Sequence, residues 1–189
     1  MCKNYYPWGG EFYTGSYKIN IAVVILNLDY KPNINVAIYG KLKTENIGIE
    51  KIVANVISNP NIRYLLICGN EIKGHKPGKS LIALHEFGID KNNKIINAPG
   101  AIPYIENLNN EAIKRFQKQI KIINKIELTD QNKINNIIEN YKSKKSNSFG
   151  EPYIAIKFDK VKKIDLQDNR ALHSKIKINY MGKVKKRGN

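Results

Sequence analysis

The stretch KINIAVVILNL, residues 18–28, is apolar or β-branched at nearly every position. Strands buried on both faces of a parallel sheet have this pattern, whereas half-exposed strands alternate. A second such run, IRYLLIC at residues 62–68, ends at a glycine and an asparagine. Between the two, apolar residues recur at three- to four-residue spacing from Ile49 to Ile57 until Asn59-Pro60, which indicates an amphipathic helix. Together these elements predict a βαβ unit.

The same alternation continues toward the C-terminus. The further predicted elements are, in order, a helix opened by Pro77 and ended by Gly88, a short strand at 94–97, a helix at 110–124, a strand at 125–128 and a helix from the N-cap Asp130 through Tyr141. His85 falls on the apolar face of the first of these helices, so we expect it to pack in the core. The pattern predicts an α/β fold, with a Rossmann-like, three-layer, open and mainly parallel sheet and helices on both faces.

The composition changes after Tyr141. The segment KSKKSNSFG, residues 142–150, is polar and rich in residues that interrupt regular structure, as linkers are. Residues 153–158 and 174–180 alternate like half-exposed strands. We therefore predict a main domain at 1–145, followed at 146–189 by a linker and a small β appendage with the basic tail KVKKRGN.

Length and composition restrict the class of protein. A chain of 189 residues with 42% hydrophobic residues can bury one ordinary core. The two cysteines, Cys2 and Cys68, cannot form a disulfide framework, and the sequence has no C-x-x-C pair for zinc. The N-terminus lacks an apolar signal-peptide segment, and the longest apolar run, 21–26, is far below the roughly 20 residues of a membrane-spanning helix. We expect a cytoplasmic protein without a transmembrane segment.

The charge balance makes an anionic partner worth considering. The formal net charge is +16, so a basic nucleic-acid-binding protein without catalytic activity is an alternative hypothesis. The lysines are scattered over helix faces and do not mark one groove-reading element, which argues against it. A nucleotide-binding enzyme is disfavoured as well, because neither G-x-G-x-x-G nor G-x-x-x-x-G-K-[ST] follows a strand.

The loop GNEIKGHKPG, residues 69–78, is the first candidate site, because ligands of open parallel sheets bind beyond the carboxyl ends of the strands. Its three glycines permit a close backbone approach to a bulky ligand. His75 could ligate a metal through one ring nitrogen while the other nitrogen donates to a second group. On general grounds, however, a loop histidine beside lysines is more often exposed and solvated.

Three segments make the interpretation more specific: KTENIGIEKIVANVISNPNIR at 43–63, CGNEIKGH at 68–75 and GAIPYIEN at 100–107. In order and spacing, over about residues 17–126, they resemble the A subunit of tetrahydromethanopterin S-methyltransferase. That archaeal protein carries a corrinoid in the methanogenic complex that moves a methyl group from tetrahydromethanopterin to coenzyme M. The family member normally ends in a transmembrane anchor, whereas this chain ends in a polar segment, so it resembles a soluble homologue.

The resemblance implies that His75 is the catalytic residue and the metal ligand, which binds the cobalt of cobalamin or a related corrinoid. The family of corrinoid modules with Asp-x-His-x-x-Gly has an aspartate where this chain has Lys73, so an acidic partner of His75 would be Glu71 or a distant residue. The other cofactor-binding candidates flank His75 or lie in the matching segments: Gly69, Asn70, Gly74 and Gly78; Thr44, Glu45 and Asn46; and Pro99, Gly100, Ala101, Ile102 and Pro103.

Structural explanations stay open for two of these groups. Residues 44–46 could equally cap the helix that follows them, and 99–103 could equally form a tight turn. The function implied by the resemblance is that of a methyl carrier. The methyl group would be accepted on Co(I) from methyl-tetrahydromethanopterin and passed to coenzyme M, with donor and acceptor subunits as partners. We expect little turnover by the chain alone, and peripheral association with a membrane complex is compatible with this hypothesis.

Overall fold

The computed structural model describes residues 5–157, 176–178, 181 and 183–186. Within them the main sheet consists of β1 (Phe12–Thr14), β2 (Ile21–Ile25), β3 (Ile38–Lys41), β4 (Tyr64–Gly69) and β5 (Lys121–Ile126). The strand order is β1-β3-β2-β4-β5; the last four strands run parallel, and β1 pairs antiparallel with β3. A separate antiparallel hairpin consists of β6 (Ile176–Ile178) and β7 (Val184–Lys186). The predicted α/β class with a small β appendage is confirmed.

Helices cover both faces of the sheet. They are α1 (Ile47–Ser58), α2 (Pro77–Phe87), α3 (Asn110–Gln119) and α4 (Gln131–Lys142). Successive strand residues point to opposite faces. Accordingly Ala22 and Val24 of β2 share a buried cluster with residues of α1, α2 and α3. Ile21 and Val23 join the cluster that contains Ile134 of α4. This explains why β2 is apolar at every position, and the three layers fit a Rossmann-like arrangement.

Two predicted elements, α3 and the strand that follows it, had wrong boundaries. The helix predicted at 110–124 ends at Gln119, where Ile120 adopts an extended backbone, and the strand predicted at 125–128 begins at Lys121 and ends at Ile126. Short apolar runs fit the helical and the extended period equally well, so the pattern alone could not place the change. The strand predicted at 94–97 is reduced to isolated bridges, which join Ile89 to Ile95 and Lys94 to Tyr104.

Residues 146–157, which begin within the predicted linker segment, contact the main fold. We call them the strap. The Phe149 ring lies between two guanidinium groups, 5.1 Å from that of Arg63 and 4.6 Å from that of Arg115. The backbone N–H of Phe149 donates to the carbonyl of Pro60, and that of Tyr153 donates to the carbonyl of Ile57. The strap therefore crosses the helix layer formed by α1 and α3.

The strap also corrects a strand prediction, because residues 153–157 contain no regular secondary structure. Arginine contacts to backbone carbonyls and apolar packing of Tyr153, Ala155 and Ile156 hold this segment, without a strand partner. The strand predicted at 174–180 contains β6, and its residues 174, 175, 179 and 180 lie outside the described residues, as does residue 158. The domain division at 145/146 stays a prediction.

We expect Phe149→Ala to lower the free energy of unfolding by about 2 kcal/mol, because two cation–π contacts and the packing of a half-buried ring are lost. Urea unfolding measures this loss, and limited proteolysis should detect faster cleavage within the strap. The control is Ser148→Ala, since its exposed hydroxyl makes only a long bond of 3.4 Å to Gly150. Equal stability and cleavage of the two variants would show that the strap is not held by Phe149.

Candidate functional site

The chain leaves the sheet in opposite directions from two neighbouring strands. β2 is followed by β3 on one side, whereas the chain after β4 returns to the sheet as β5 on the other side. Ligands of open α/β sheets bind at such a switch point, beyond the carboxyl ends of the strands. At this edge, contacts join the loop after β3, the loop after β4 and the loop 98–107 that precedes α3. The first two loops carry the predicted site residues Glu45 and His75.

His75 is anchored through one of its two ring nitrogens. Its Nδ1 donates to the carboxylate of Glu45, at 3.0 Å from Oε2 and 3.3 Å from Oε1. The Glu45 side chain is 3% exposed, whereas the His75 side chain is 55% exposed. Nε2 has no hydrogen-bond partner among the described residues. A proton held on Nδ1 by a carboxylate leaves the lone pair of a neutral imidazole on Nε2, which is the form that binds metals.

Glu45 is thus the distant acidic partner that the sequence left open, and Glu71 has another role. The Glu71 carboxylate accepts from the backbone N–H of Gly78 at 3.3 Å and from that of Lys79 at 2.6 Å. These donors belong to the first turn of α2, where a carboxylate is favoured by the unpaired N–H groups and the helix dipole. Glu71 therefore stabilises the start of α2, which directly follows His75.

The backbone around His75 needs unusual conformations. Gly69 has φ +92°, and a Cβ there would lie 2.9 Å from the Cβ of Leu28, so glycine is required where β4 ends. Gly74 has φ +84°, directly before the histidine. Lys76, the N-cap of α2, is left-handed with φ +43° although it is not glycine. These turns bring the imidazole to the edge of the sheet.

Gly100 packs closely against three residues of the site, His75, Glu45 and Ser80. A Cβ on Gly100 would lie 2.6 Å from the carbonyl oxygen of His75, 2.7 Å from Cγ of Glu45 and 2.9 Å from Oγ of Ser80. Its lack of a side chain is explained by this packing alone, without a ligand. Two residues later, the N–H of Ile102 donates to Oε1 of Glu45 at 2.9 Å. The loop 98–107 thus supports the pair formed by His75 and Glu45.

We expect Gly100→Ala to cost about 1–3 kcal/mol of stability, because a methyl group must displace backbone and a buried carboxylate side chain. The amide resonance of His75 should also shift, since its carbonyl is the nearest atom to the new methyl group. Thermal unfolding and ¹H–¹⁵N spectra measure these effects. Gly9→Ala is the matched control, because a Cβ at Gly9 has no atom within 4 Å. Identical behaviour of the two variants would contradict this packing.

The other predicted site residues divide into capping and loop positions. The Thr44 hydroxyl accepts from the N–H of Gly48 at 3.0 Å, and the Asn46 side chain accepts from the N–H of Ile47 at 2.7 Å. Both contacts stabilise the start of α1, as the capping alternative requires. Asn70 is bridged to Asn27 beside the site. Among the remaining loop candidates, Pro99, Ala101 and Ile102 are exposed, and Pro103 is buried.

A buried carboxylate that the sequence analysis did not single out lies next to this loop. Glu50 is fully buried in α1, and its carboxylate accepts from the backbone N–H and from Nδ2 of Asn107, both at 2.6 Å. Burial raises the pKa of this carboxyl group, whereas the hydrogen bonds from Asn107 act in the opposite direction. Glu50 precedes Val53 and Ala54 by three and four residues, which places it on the apolar face of α1. This spacing in the sequence could have identified Glu50 as a buried carboxylate.

His85, predicted to pack in the core, is half-buried and lies against the core residue Phe116. Its Nε2 donates to the carbonyl of Ile120 at 2.8 Å, and its ring meets Phe116 edge-on at 5.2 Å between centroids. The part of the chain that the structure describes contains no cluster of three His, Cys, Asp or Glu side chains able to hold a metal. None of the described helices is long and apolar enough to cross a membrane.

Fold and site together define a class of protein: a three-layer α/β protein that presents a carboxylate-anchored imidazole at the switch point of its sheet. Residues 2–167 match the family model for the A subunit of tetrahydromethanopterin S-methyltransferase. The chain therefore belongs to this family of methyltransferase components. The resemblance carried by residues 43–63, 68–75 and 100–107 is confirmed.

Relatives of two kinds are similar to this chain. The A subunit of the putative methyltransferase Mtx from Methanosarcina acetivorans is 46% identical over 144 residues, which cover 76% of this chain and 73% of the relative. The A subunit of tetrahydromethanopterin S-methyltransferase from Methanosphaera stadtmanae is 44% identical over 154 residues, 79% of this chain and 62% of the relative. An A subunit of the same enzyme from Methanothermobacter thermautotrophicus is 49% identical over 124 residues, 65% and 52% of the two chains.

Proposed function

We propose that this chain is a corrinoid-binding methyl carrier in which Nε2 of His75 would ligate the cobalt of cobalamin or a related corrinoid. The observation that carries the proposal is the exposed imidazole whose Nδ1 donates to the buried Glu45. Metal-binding histidines almost always donate their second nitrogen to such an acceptor, which fixes the tautomer and makes the ligating nitrogen more basic. A solvated surface histidine does not require a buried carboxylate.

The residues around His75 fit a large, flat cofactor. A Cβ added at Gly74 would meet no atom within 4 Å, so the loop is open directly before His75. Ile102, with 38% of its surface exposed, offers apolar surface next to Glu45. The corrin-bound cobalt would supply the nucleophile that accepts the methyl group. The chain itself would bind and orient it: His75 as the ligand, Glu45 as the group that holds the imidazole and Ile102 as the support of Glu45.

The partners are inferred from the names of the relatives. Some are tetrahydromethanopterin S-methyltransferase subunits, and others are subunits of a putative methyltransferase Mtx. We infer that the methyl group comes from methyl-tetrahydromethanopterin and goes to coenzyme M, each bound by a partner protein, in the cytoplasm. The exposure of His75 at an open edge supports this, because proteins carrying either substrate could approach the same face.

Reconstitution with hydroxocobalamin tests the proposal. The purified chain is mixed with the cofactor and desalted, and its visible spectrum is recorded. We expect retention of one equivalent of cofactor and a spectrum typical of nitrogen ligation. A colourless protein would contradict the proposal. If that colourless protein also shifted RNA in a gel at moderate salt, the net charge of +16 would favour the nucleic-acid-binding alternative.

A further inference from the structure

Two buried glutamates hold the loop 98–107 at two separate points. Near its start, the N–H of Ile102 donates to Glu45, which precedes α1. Near its end, Asn107 donates two bonds of 2.6 Å to Glu50, in the first turn of α1. The hydrogen bonds of the Glu50 carboxylate go to Asn107 and to the backbone of Glu106, both in this loop, so nothing in the cofactor proposal assigns Glu50 a role.

The chain between the two attachment points is stiff. Pro103 follows Ile102 directly and restricts its own backbone, and its carbonyl accepts from the N–H of Ile95 at 2.8 Å. The N–H of Ile105 donates to the carbonyl of Asn93 at 2.9 Å. Because few freely rotating bonds separate Asn107 from Ile102, we expect a displacement of Asn107 to shift Ile102.

A carboxylate is a costly residue for a core position. Removing its charge from water is unfavourable, and an apolar side chain would fill the same space beside Ile49 and Val53 without that cost. Glu50 provides two directed hydrogen bonds that an apolar residue cannot provide, and both go to the loop that supports the site. Its burial thus favours a role in positioning over a role in packing.

We propose that Glu50 is a positioning residue for His75. By fixing Asn107 it holds the loop 98–107, the loop holds the Ile102 N–H on Glu45, and Glu45 holds Nδ1 of the imidazole. Where cobalt ligation is concerned the inference rests on the proposed function, but the positioning itself concerns the chain without cofactor. It can therefore be tested independently of corrinoid binding.

The test measures the tautomer of His75 in the cofactor-free chain, by long-range ¹H–¹⁵N spectra at mildly alkaline pH, where histidine side chains are neutral. We expect the wild-type chain to show a single Nδ1–H tautomer. Glu50→Ala should lose it and give a mixture, because Ile102 no longer holds Glu45 in place. Glu50→Gln should restore the single tautomer, since a carboxamide oxygen still accepts from the N–H of Asn107 and the Asn107 amide can rotate to accept from the new NH₂ group.

Asn55→Ala is the matched control for general destabilisation. Asn55 is also buried in α1 and also makes two hydrogen bonds to a loop, but its partners are the N–H and carbonyl of Trp8. We expect this variant to lose stability and keep the tautomer. If Glu50→Ala fails to fold, Asn107→Ala removes one of the two bonds from the opposite side and should likewise loosen the tautomer.

The outcomes separate this inference from the proposed function. A folded Glu50→Ala chain, or Asn107→Ala chain in its place, that keeps the single Nδ1–H tautomer overturns the positioning role, whatever the cofactor does. Loss of the tautomer in Asn55→Ala as well would overturn it too, because the effect would then be general. Where the wild-type chain binds corrinoid, the affinity of the imidazole for cobalt should fall about 10-fold in Glu50→Ala and recover in Glu50→Gln. A wild-type chain that binds no corrinoid would refute the proposed function and leave the tautomer test decisive for Glu50.

Discussion

The His75→Ala protein is expected to lose the nitrogen-ligated spectrum of bound corrinoid completely while it keeps its fold. The side chain is more than half exposed, but its Nδ1 is a hydrogen-bond donor to the buried Glu45 carboxylate, so its removal should cost about 1–3 kcal/mol. The visible spectrum of the reconstituted variant measures the first effect, and urea unfolding measures the second. Cofactor binding itself can persist through contacts to the corrin ring.

The matched control for this variant is His85→Ala. That histidine loses a bond of 2.8 Å to Ile120 and an edge contact with Phe116, so stability should fall by about 1–2 kcal/mol. Because it lies away from the site, the spectrum should stay that of the wild-type protein. A nitrogen-ligated spectrum that survives His75→Ala would remove His75 from the site.

Glu45→Ala is expected to reduce the affinity of the imidazole for cobalt by about 10- to 100-fold, although the ligand itself is unchanged. The substitution leaves the Nδ1–H of His75 and the N–H of Ile102 without their acceptor. The loss of charge-assisted hydrogen bonds should also lower the free energy of unfolding by about 2–3 kcal/mol. Titration of the nitrogen-ligated spectrum against competing imidazole measures the affinity.

Glu11→Ala is the control for the loss of a carboxylate on this part of the chain. Glu11 is exposed and pairs with Lys43 at 2.9 Å, just after β3. We expect its removal to leave the spectrum unchanged, because exposed ion pairs contribute little and the partner of Glu11 is Lys43, not His75. Equal effects of the two substitutions would mean that general charge, and not the bond to Nδ1, supports the imidazole.

The sheet was predictable because strands buried on both faces are apolar at nearly every position. β2 and β4 are apolar on both faces, and the helices between the strands follow the helical period, so the alternation of strands and helices and the three layers could be inferred. The change from α3 to β5 could not be inferred, because the segment IKIINKI fits both periods. The strap was missed for a different reason. Its arginine, aromatic and carbonyl contacts join Phe149 to Arg63 and Arg115, which are far away in the chain.

Only part of the site, the position of His75, could be predicted from the sequence. His75 could be located because a glycine-rich loop after a buried strand lies where ligands bind. Its partner could not be identified, since Glu45 lies 30 residues earlier in the chain and reaches the histidine through the parallel register of β3, β2 and β4. Glu45 was a candidate through the family resemblance alone, and its contact with Nδ1 required the structure. The role of Gly100 could not be predicted either, because it packs against His75, Glu45 and Ser80, which lie elsewhere in the sequence.

The central claim is that the ligating nitrogen belongs to the protein, and electron paramagnetic resonance of the Co(II) form tests it most directly. Protein grown with ¹⁵N-histidine and unlabelled protein are each reconstituted with unlabelled cobalamin. We expect the nitrogen superhyperfine pattern to change from triplets in the unlabelled sample to doublets in the labelled one. Triplets in both samples would mean that the cofactor's own base binds the metal, and His75 would not be the ligand.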